Sequence, residues 1–153
     1  MSDGSYKDQK GTASWIIESQ NKEASISGVA LSPGPMHIQS AYRSELLGLL
    51  ANLEMINILS KKFDITSEGC TIACNSLSAL KKALDKERNW RTSKQLHADI
   101  LSATTSILQE YPIEFSPMHV KGHQDEVLPY NMLTRPAQLN VICNYNAKDA
   151  MKQ

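Results

Sequence analysis

At 153 residues the chain suits a single domain with a proper core and is short for two. Its 41% hydrophobic and 21% charged content is ordinary for a globular protein, and no run nears the roughly 18 apolar residues of a membrane span. Sixteen basic side chains balance sixteen acidic ones, so a polyanionic partner has to be argued from local features and not from overall charge.

The opening MSDGSYKDQKG is polar and lacks an apolar signal-peptide core. Any first strand is reduced to the residues around Asp3. Residues 12–18 (TASWIIE) carry β-branched and aromatic side chains after Gly11 and read as a strand. Residues 24–31 alternate as a second strand, with the polar QNKE between them as a hairpin turn. Pro33-Gly34-Pro35 stops the sheet. From about Ser40, a plausible N-cap, to Lys62 the pattern turns helical: Leu46, Leu49, Leu50, Leu53 and Ile56 share one face.

CTIAC, residues 70–74, reads as a short buried strand. Helices are expected over residues 77–86 and 93–110, the latter with Leu96, Ile100, Thr104 and Ile107 on one face and Pro112 at its end. Residues 113–120 make a last strand. A polar, Pro-containing loop follows, and residues 140–151 form a terminal helix. The order (β)ββαβααβα predicts a hairpin-led, layered α/β sheet. Cys70, Cys74 and Cys143 are odd in number, form no CxxC pair and sit in apolar settings. They read as buried free thiols, which with the absent leader points to an intracellular protein, cytoplasmic or nuclear.

Polar residues of chemical interest fall at element ends. Glu45 lies one turn before Leu49 and so shares the buried face of the long helix, where a carboxylate needs a partner or a cation. Asn75 stands at the exit of the CTIAC strand, a common ligand position in open α/β sheets, and would also cap the next helix. His123 lies in the loop VKGHQD, and Asn144 in the terminal helix. Singly, each has an ordinary structural reading: a turn for Asp3, a surface ion pair for Glu45, solvation for His123 and Asn144.

Together they are more telling. SDGS before a hairpin, YRSELLGLL on the long helix, CNSLSAL after a strand, HVKGHQD after the last strand and LNVICNYNAK at the end occur in this order. The chain thereby resembles type 1 ribonuclease H over nearly its whole length, and most of all the kind found beside reverse transcriptases in retroelements. The resemblance implies a ribonuclease H-like fold: a mixed five-stranded sheet of antiparallel hairpin strands and parallel strands, flanked by helices. It implies metal-dependent hydrolysis of the RNA strand of RNA–DNA hybrids. Asp3 and Glu45 match two of the four carboxylates that hold two magnesium ions, with manganese as an alternative. Asn75 and Asn144 fall on the other two positions, and His123 on the loop histidine that aids deprotonation of water or product release. The VKGHQD loop argues against an integrase-like relative.

Two cations held close together need several negative ligands from separate elements. Asparagine keeps the shape of aspartate but loses a full charge. At about 4 Å and an effective dielectric near 20, each unit-charge pair is worth on the order of 4 kcal/mol. Metal affinity is therefore expected to be reduced and hydrolysis weak or absent, with Asp125 an improbable substitute. The alternative is a non-catalytic binding or connecting module of a reverse transcriptase.

For hybrid contact the resemblance implies Gly4, Ser5, Gln39, Ser40 and Arg43 near the metal centre and Asn140 on the terminal helix. Trp90 and Arg91 would contribute from a short basic segment, KERNWRTSK. For Trp90, packing between helices is the competing reading. Family members carry several apolar residues before the first aspartate. Residues 1–153 are therefore expected to be one domain excised from a longer polypeptide, with a shortened first strand, unpaired neighbouring backbone and reduced stability.

Overall fold

The computed structural model describes residues 1–66, 68–90, 94–110 and 113–153. Five strands form one mixed sheet: β1 (Ser2–Lys7), β2 (Lys10–Glu18), β3 (Ser25–Leu31), β4 (Cys70–Cys74) and β5 (Phe115–His119). Their spatial order is β3-β2-β1-β4-β5. The three leading strands pair antiparallel, while β1–β4 and β4–β5 are parallel. Four helices flank the sheet among the described residues: α1 (Ala41–Phe63), α2 (Leu77–Ala83), α3 (Ala98–Glu110) and α4 (Arg135–Ala150).

Strand alternation sorts the core into two layers. Ala13, Ile72 and Cys74 point to one face and pack with Leu46, Leu49 and Leu53 of α1, Leu80 of α2 and Leu101 of α3. Met1, Ile16, Ala73 and Val120 point to the other face and pack with Ala137 and Cys143 of α4. Leu46, Leu49 and Leu53 are fully buried, each contributing about 1.5–3 kcal/mol of hydrophobic stabilisation. The apolar stripe legible in the sequence is thus the seam that fixes α1 against the sheet.

The ends of α1 follow local chemistry. The Ser40 hydroxyl accepts from the Arg43 amide at 3.0 Å, satisfying one free donor of the first turn. Asp64 closes the helix in the left-handed conformation. Three boundaries differ from the sequence reading. α2 stops at Ala83, short of residue 86. α3 begins at Ala98, because His97 takes a left-handed φ of 70° and interrupts the helix there. Leu96 accordingly stays outside it and is exposed, while Ile100, Thr104 and Ile107 are buried as expected. Ser93 and Pro112 lie outside the described residues. α4 begins at Arg135, five residues earlier than expected; Pro136 sits in its first turn, where no intrahelical N–H is required.

The first strand is fuller than its few residues around Asp3 suggested. It is the middle strand, and all six of its residues pair with β2. It meets β4 only at Ser2↔Cys74. No helix among the described residues is long and apolar enough to cross a membrane.

Candidate active site

Asp3 is the hub of the site. It lies on β1, only 1% exposed, and both its oxygens are engaged. Oδ1 accepts from the Gly4 amide at 2.8 Å and from Asn75 Nδ2 at 3.2 Å. Oδ2 accepts from Asn140 Nδ2 at 3.2 Å. Glu45 and Asn144 also lie close enough to Asp3 to bear on its charge. Residues 3, 45, 75 and 144 thus come together from β1, α1, the exit of β4 and α4.

This convergence requires β1 and α1 to lie close. A Cβ on Gly4 would stand 2.5 Å from the Glu45 nitrogen and 2.6 Å from the Ser44 carbonyl carbon, so only glycine allows the approach. Glu45 then faces Asp3 with little water to solvate either group. Burial, reinforced by the charge of Asp3, pushes the Glu45 carboxyl up to about 9. Burial also raises Asp3, while the hydrogen bond from Glu45 opposes that rise. Both carboxyls are thus pushed toward their protonated forms, Glu45 the more strongly.

Cys74 was not expected in the site, and Asn140 was expected there in another role. The Cys74 thiol donates to Glu45 Oε2 at 3.3 Å, and burial followed by the Glu45 charge raises it far above the ordinary thiol range. It remains a thiol and a weak donor. Strand alternation was the available signal, since Cys74 shares the α1-facing side of β4 with Ile72. Asn140 is 2% exposed; the sequence reading set hybrid contact against simple solvation, whereas its amide donates inward to Asp3. The other thiols are also free, and burial pushes Cys143 up to about 12.

His123 stands apart from this network. Its imidazole is 57% exposed and pairs with Glu126 at 3.1 Å. Its loop does pass the site, because a Cβ on the preceding Gly122 would lie 3.2 Å from Asn75 Nδ2. The Asn75 carbonyl is in contact with His119 Nε2 at 3.1 Å. Asp125 is exposed.

Among the expected hybrid contacts, Gly4 and Ser5 are half-buried on β1 and Ser40 caps α1. Gln39 Nε2 is occupied by the carbonyls of Ser32, Pro33 and Gly34 and holds the turn before α1. Arg43 is turned inward, and for Trp90 the packing reading is the one its burial favours. Arg43 is 1% exposed: its guanidinium donates to both oxygens of Asp99 and to the Pro33 carbonyl, and lies 3.3 Å from His97 Nδ1. It ties α1 to α3 and offers no group to a ligand. Trp90 is 2% exposed within the α1–α3 core, so no ring face is left for a base; Arg88 covers it at 4.5 Å. Arg91 lies outside the described residues.

Among the described residues no group of three or more His, Cys, Asp or Glu side chains is placed to hold a metal ion. The reason is visible in the donor set. Two of the four converging side chains are amides, and the Asn75 N–H is turned toward Asp3.

This architecture is also found among solved structures. The chain is similar to the crystal structure of RNase H1 from the halophilic archaeon Halobacterium salinarum NRC-1, at 14% sequence identity and a TM-score of 0.58. The match covers 97% of this chain and 95% of that one. No family model and no curated protein matches the sequence. The fold is ribonuclease H-like: a mixed five-stranded sheet flanked by four helices among the described residues.

Proposed function

We propose that the chain is a ribonuclease H-like domain that binds RNA–DNA hybrid and whose hydrolysis is impaired as the sequence stands. The observation that carries this reading is the state of Asp3. Its oxygens accept amide N–H groups from Asn75 and Asn140, and Glu45 is buried against it. Two carboxylates and two neutral amides offer fewer negative oxygens than the several hard oxygen ligands that a pair of divalent cations calls for. The donor set present does not fit that pair.

The same chemistry favours binding without a cation. A phosphate approaching four carboxylates is repelled unless metal ions intervene. Here two of the four charges are replaced by neutral amides, so that repulsion is largely removed. Lys81, Lys82, Lys86 and Arg88 on α2 and just after it supply local positive charge on an otherwise neutral chain. Recognition then rests on duplex shape and 2′-hydroxyl groups, with Gly4, Ser5 and Ser40 at the edge of the site. The motif order supports a parent polypeptide of retroelement type carrying a reverse transcriptase domain, and an intracellular setting.

The test compares the chain with Asn75→Asp/Asn144→Asp, measuring cleavage and binding of a labelled hybrid in EDTA and in magnesium. The chain as it stands is expected to bind in EDTA and to cleave little. The double variant is expected to cleave in magnesium or manganese and to bind better with the ion than without. Brisk magnesium-dependent turnover by the unaltered chain overturns the impairment. Absence of binding by both proteins overturns the nucleic-acid reading and favours a connecting module.

A further inference from the structure

Between the segment that follows α2 and helix α3 lies a cavity of about 280 Å³. Its walls include Glu87, Arg88 and Trp90 on one side and Ser102, Thr105 and Gln109 of α3 on the other. No residue of the Asp3 network is among them. Two of the walls carry a buried polar atom with nothing to bond. Trp90 Nε1 and Thr105 Oγ1 have no hydrogen-bond partner among the described residues, and the two side chains are only 2% and 7% exposed. Folded proteins rarely leave such groups unpaired. The cavity is several times the roughly 30 Å³ that one water molecule occupies, so there is room for more than a bridging solvent molecule. We propose that it is a binding site for a small hydroxy monocarboxylate, whose carboxylate is held by Arg88 and the Trp90 indole N–H.

The walls select the ligand. An indole N–H can only donate, and so can a guanidinium; both call for an acceptor, and the guanidinium for a negative one. Arg88 lies over the Trp90 ring at 4.5 Å, so one planar carboxylate can serve both donors. Among the described residues Arg88 makes no ion pair that would compete. Glu87 sets the charge. It shares the wall with Arg88, and its carboxylate repels a phosphate dianion about twice as strongly as a monoanion. A single cation beside a carboxylate therefore suits one negative charge. The hydroxyls of Ser102 and Thr105 can donate or accept, which suits a hydroxyl next to the ligand's carboxylate. The frame is held ready: Gln109 Nε2 donates to the Lys86 carbonyl at 3.1 Å and ties the segment to α3.

The experiment follows the indole N–H resonances of Trp15 and Trp90 by NMR while the isotope-labelled chain is titrated with sodium lactate at constant ionic strength. Hybrid is absent throughout, so the result is independent of the nucleic-acid reading. Lactate is expected to shift the Trp90 resonance saturably at about millimolar concentration and to leave Trp15 in place. Arg88→Gln is expected to weaken that binding about tenfold or more. Lactamide, which keeps the shape without the charge, and sodium phosphate are expected to move the resonance far less. Absence of a saturable shift means that solvent alone fills the cavity, and overturns the site. A shift that lactamide matches, or that Arg88→Gln leaves unchanged, overturns the role of the carboxylate. Phosphate binding as tightly as lactate overturns the choice of a monoanion.

Discussion

Asp3 and Asn140, 137 residues apart, are joined by a 3.2 Å hydrogen bond from the amide Nδ2 to the carboxylate Oδ2. The bond spans from the middle strand to α4, and both side chains are almost completely buried. Asn140→Leu removes the donor and leaves a buried carboxylate oxygen without it, at a cost of about 1–3 kcal/mol. Urea unfolding measures this. Asn140→Asp is expected to cost more at pH 8 than at pH 5, because it places another carboxylate against Asp3.

The Asp3–Glu45 pair gives stability a definite pH slope. Glu45 is raised by burial and then by the Asp3 charge from about 4.5 to about 9, and Asp3 is raised by burial. The folded state therefore holds a proton that the unfolded chain releases, so the contribution is fully present below the unfolded pKa. It is lost as pH climbs toward 9. Melting temperature is expected to fall by several degrees between pH 5 and pH 9, and Glu45→Gln to flatten much of that slope.

Placing aspartates at positions 75 and 144 has an energetic consequence separate from cleavage. Asn75→Asp/Asn144→Asp packs four carboxylates around one point and removes the amide donation from Asn75 to Asp3. In EDTA the double variant is expected to melt several degrees below the unaltered chain. Magnesium is expected to return that loss through binding linkage while leaving the unaltered chain unmoved. Thermal melts of both proteins with and without the ion decide it.

Arg43 is a structural tie between helices. Arg43→Ala leaves Asp99 without its partner and opens a cavity between α1 and α3; Asp99 is 59% exposed, so the cost is expected near 2–4 kcal/mol, below that of a fully buried pair. Hybrid affinity of the folded fraction is expected to be unchanged. Equilibrium unfolding and a binding titration on the same sample separate the two effects.

Trp90 should behave as core. Trp90→Ala is expected to cost about 3–5 kcal/mol and Trp90→Phe appreciably less. Adding hybrid is expected to leave indole fluorescence unquenched, since Trp15 and Trp90 are both buried; marked quenching would return Trp90 to the interface.

What the sequence made legible were features written in short-range periodicity or motif order. The leucine stripe of α1 and its Ser40 cap are local, and the structure has them where the spacing put them. The convergence of Asp3, Glu45, Asn75 and Asn144 was legible only because five motifs occur in one order. Arg43 was expected at the interface, and Trp90 was left open between interface and core, because a long side chain at an element end can turn either way. The turn is decided by Asp99 and Pro33 for one and by the α1–α3 core for the other. The early start of α4 was hidden because proline reads as a breaker in mid-chain but is at home in a first helical turn. Cys74 was read as a mere buried thiol because nothing local marks the α1 carboxylate packed over it.

The bond between Asp3 and Asn140 also orders events in time. On a ribosome, Asp3 emerges near the start of this domain and α4 at its close, so the pocket stays incomplete until almost every residue between them has been made. The first hairpin can form early, yet its middle strand keeps one side bare, and the Thr12 hydroxyl cannot reach the Ala147 carbonyl until α4 docks. Folding of such a chain is dominated by distant pairings and is correspondingly slow. Asp3 therefore waits, buried charge and all, for the last helix to close over it.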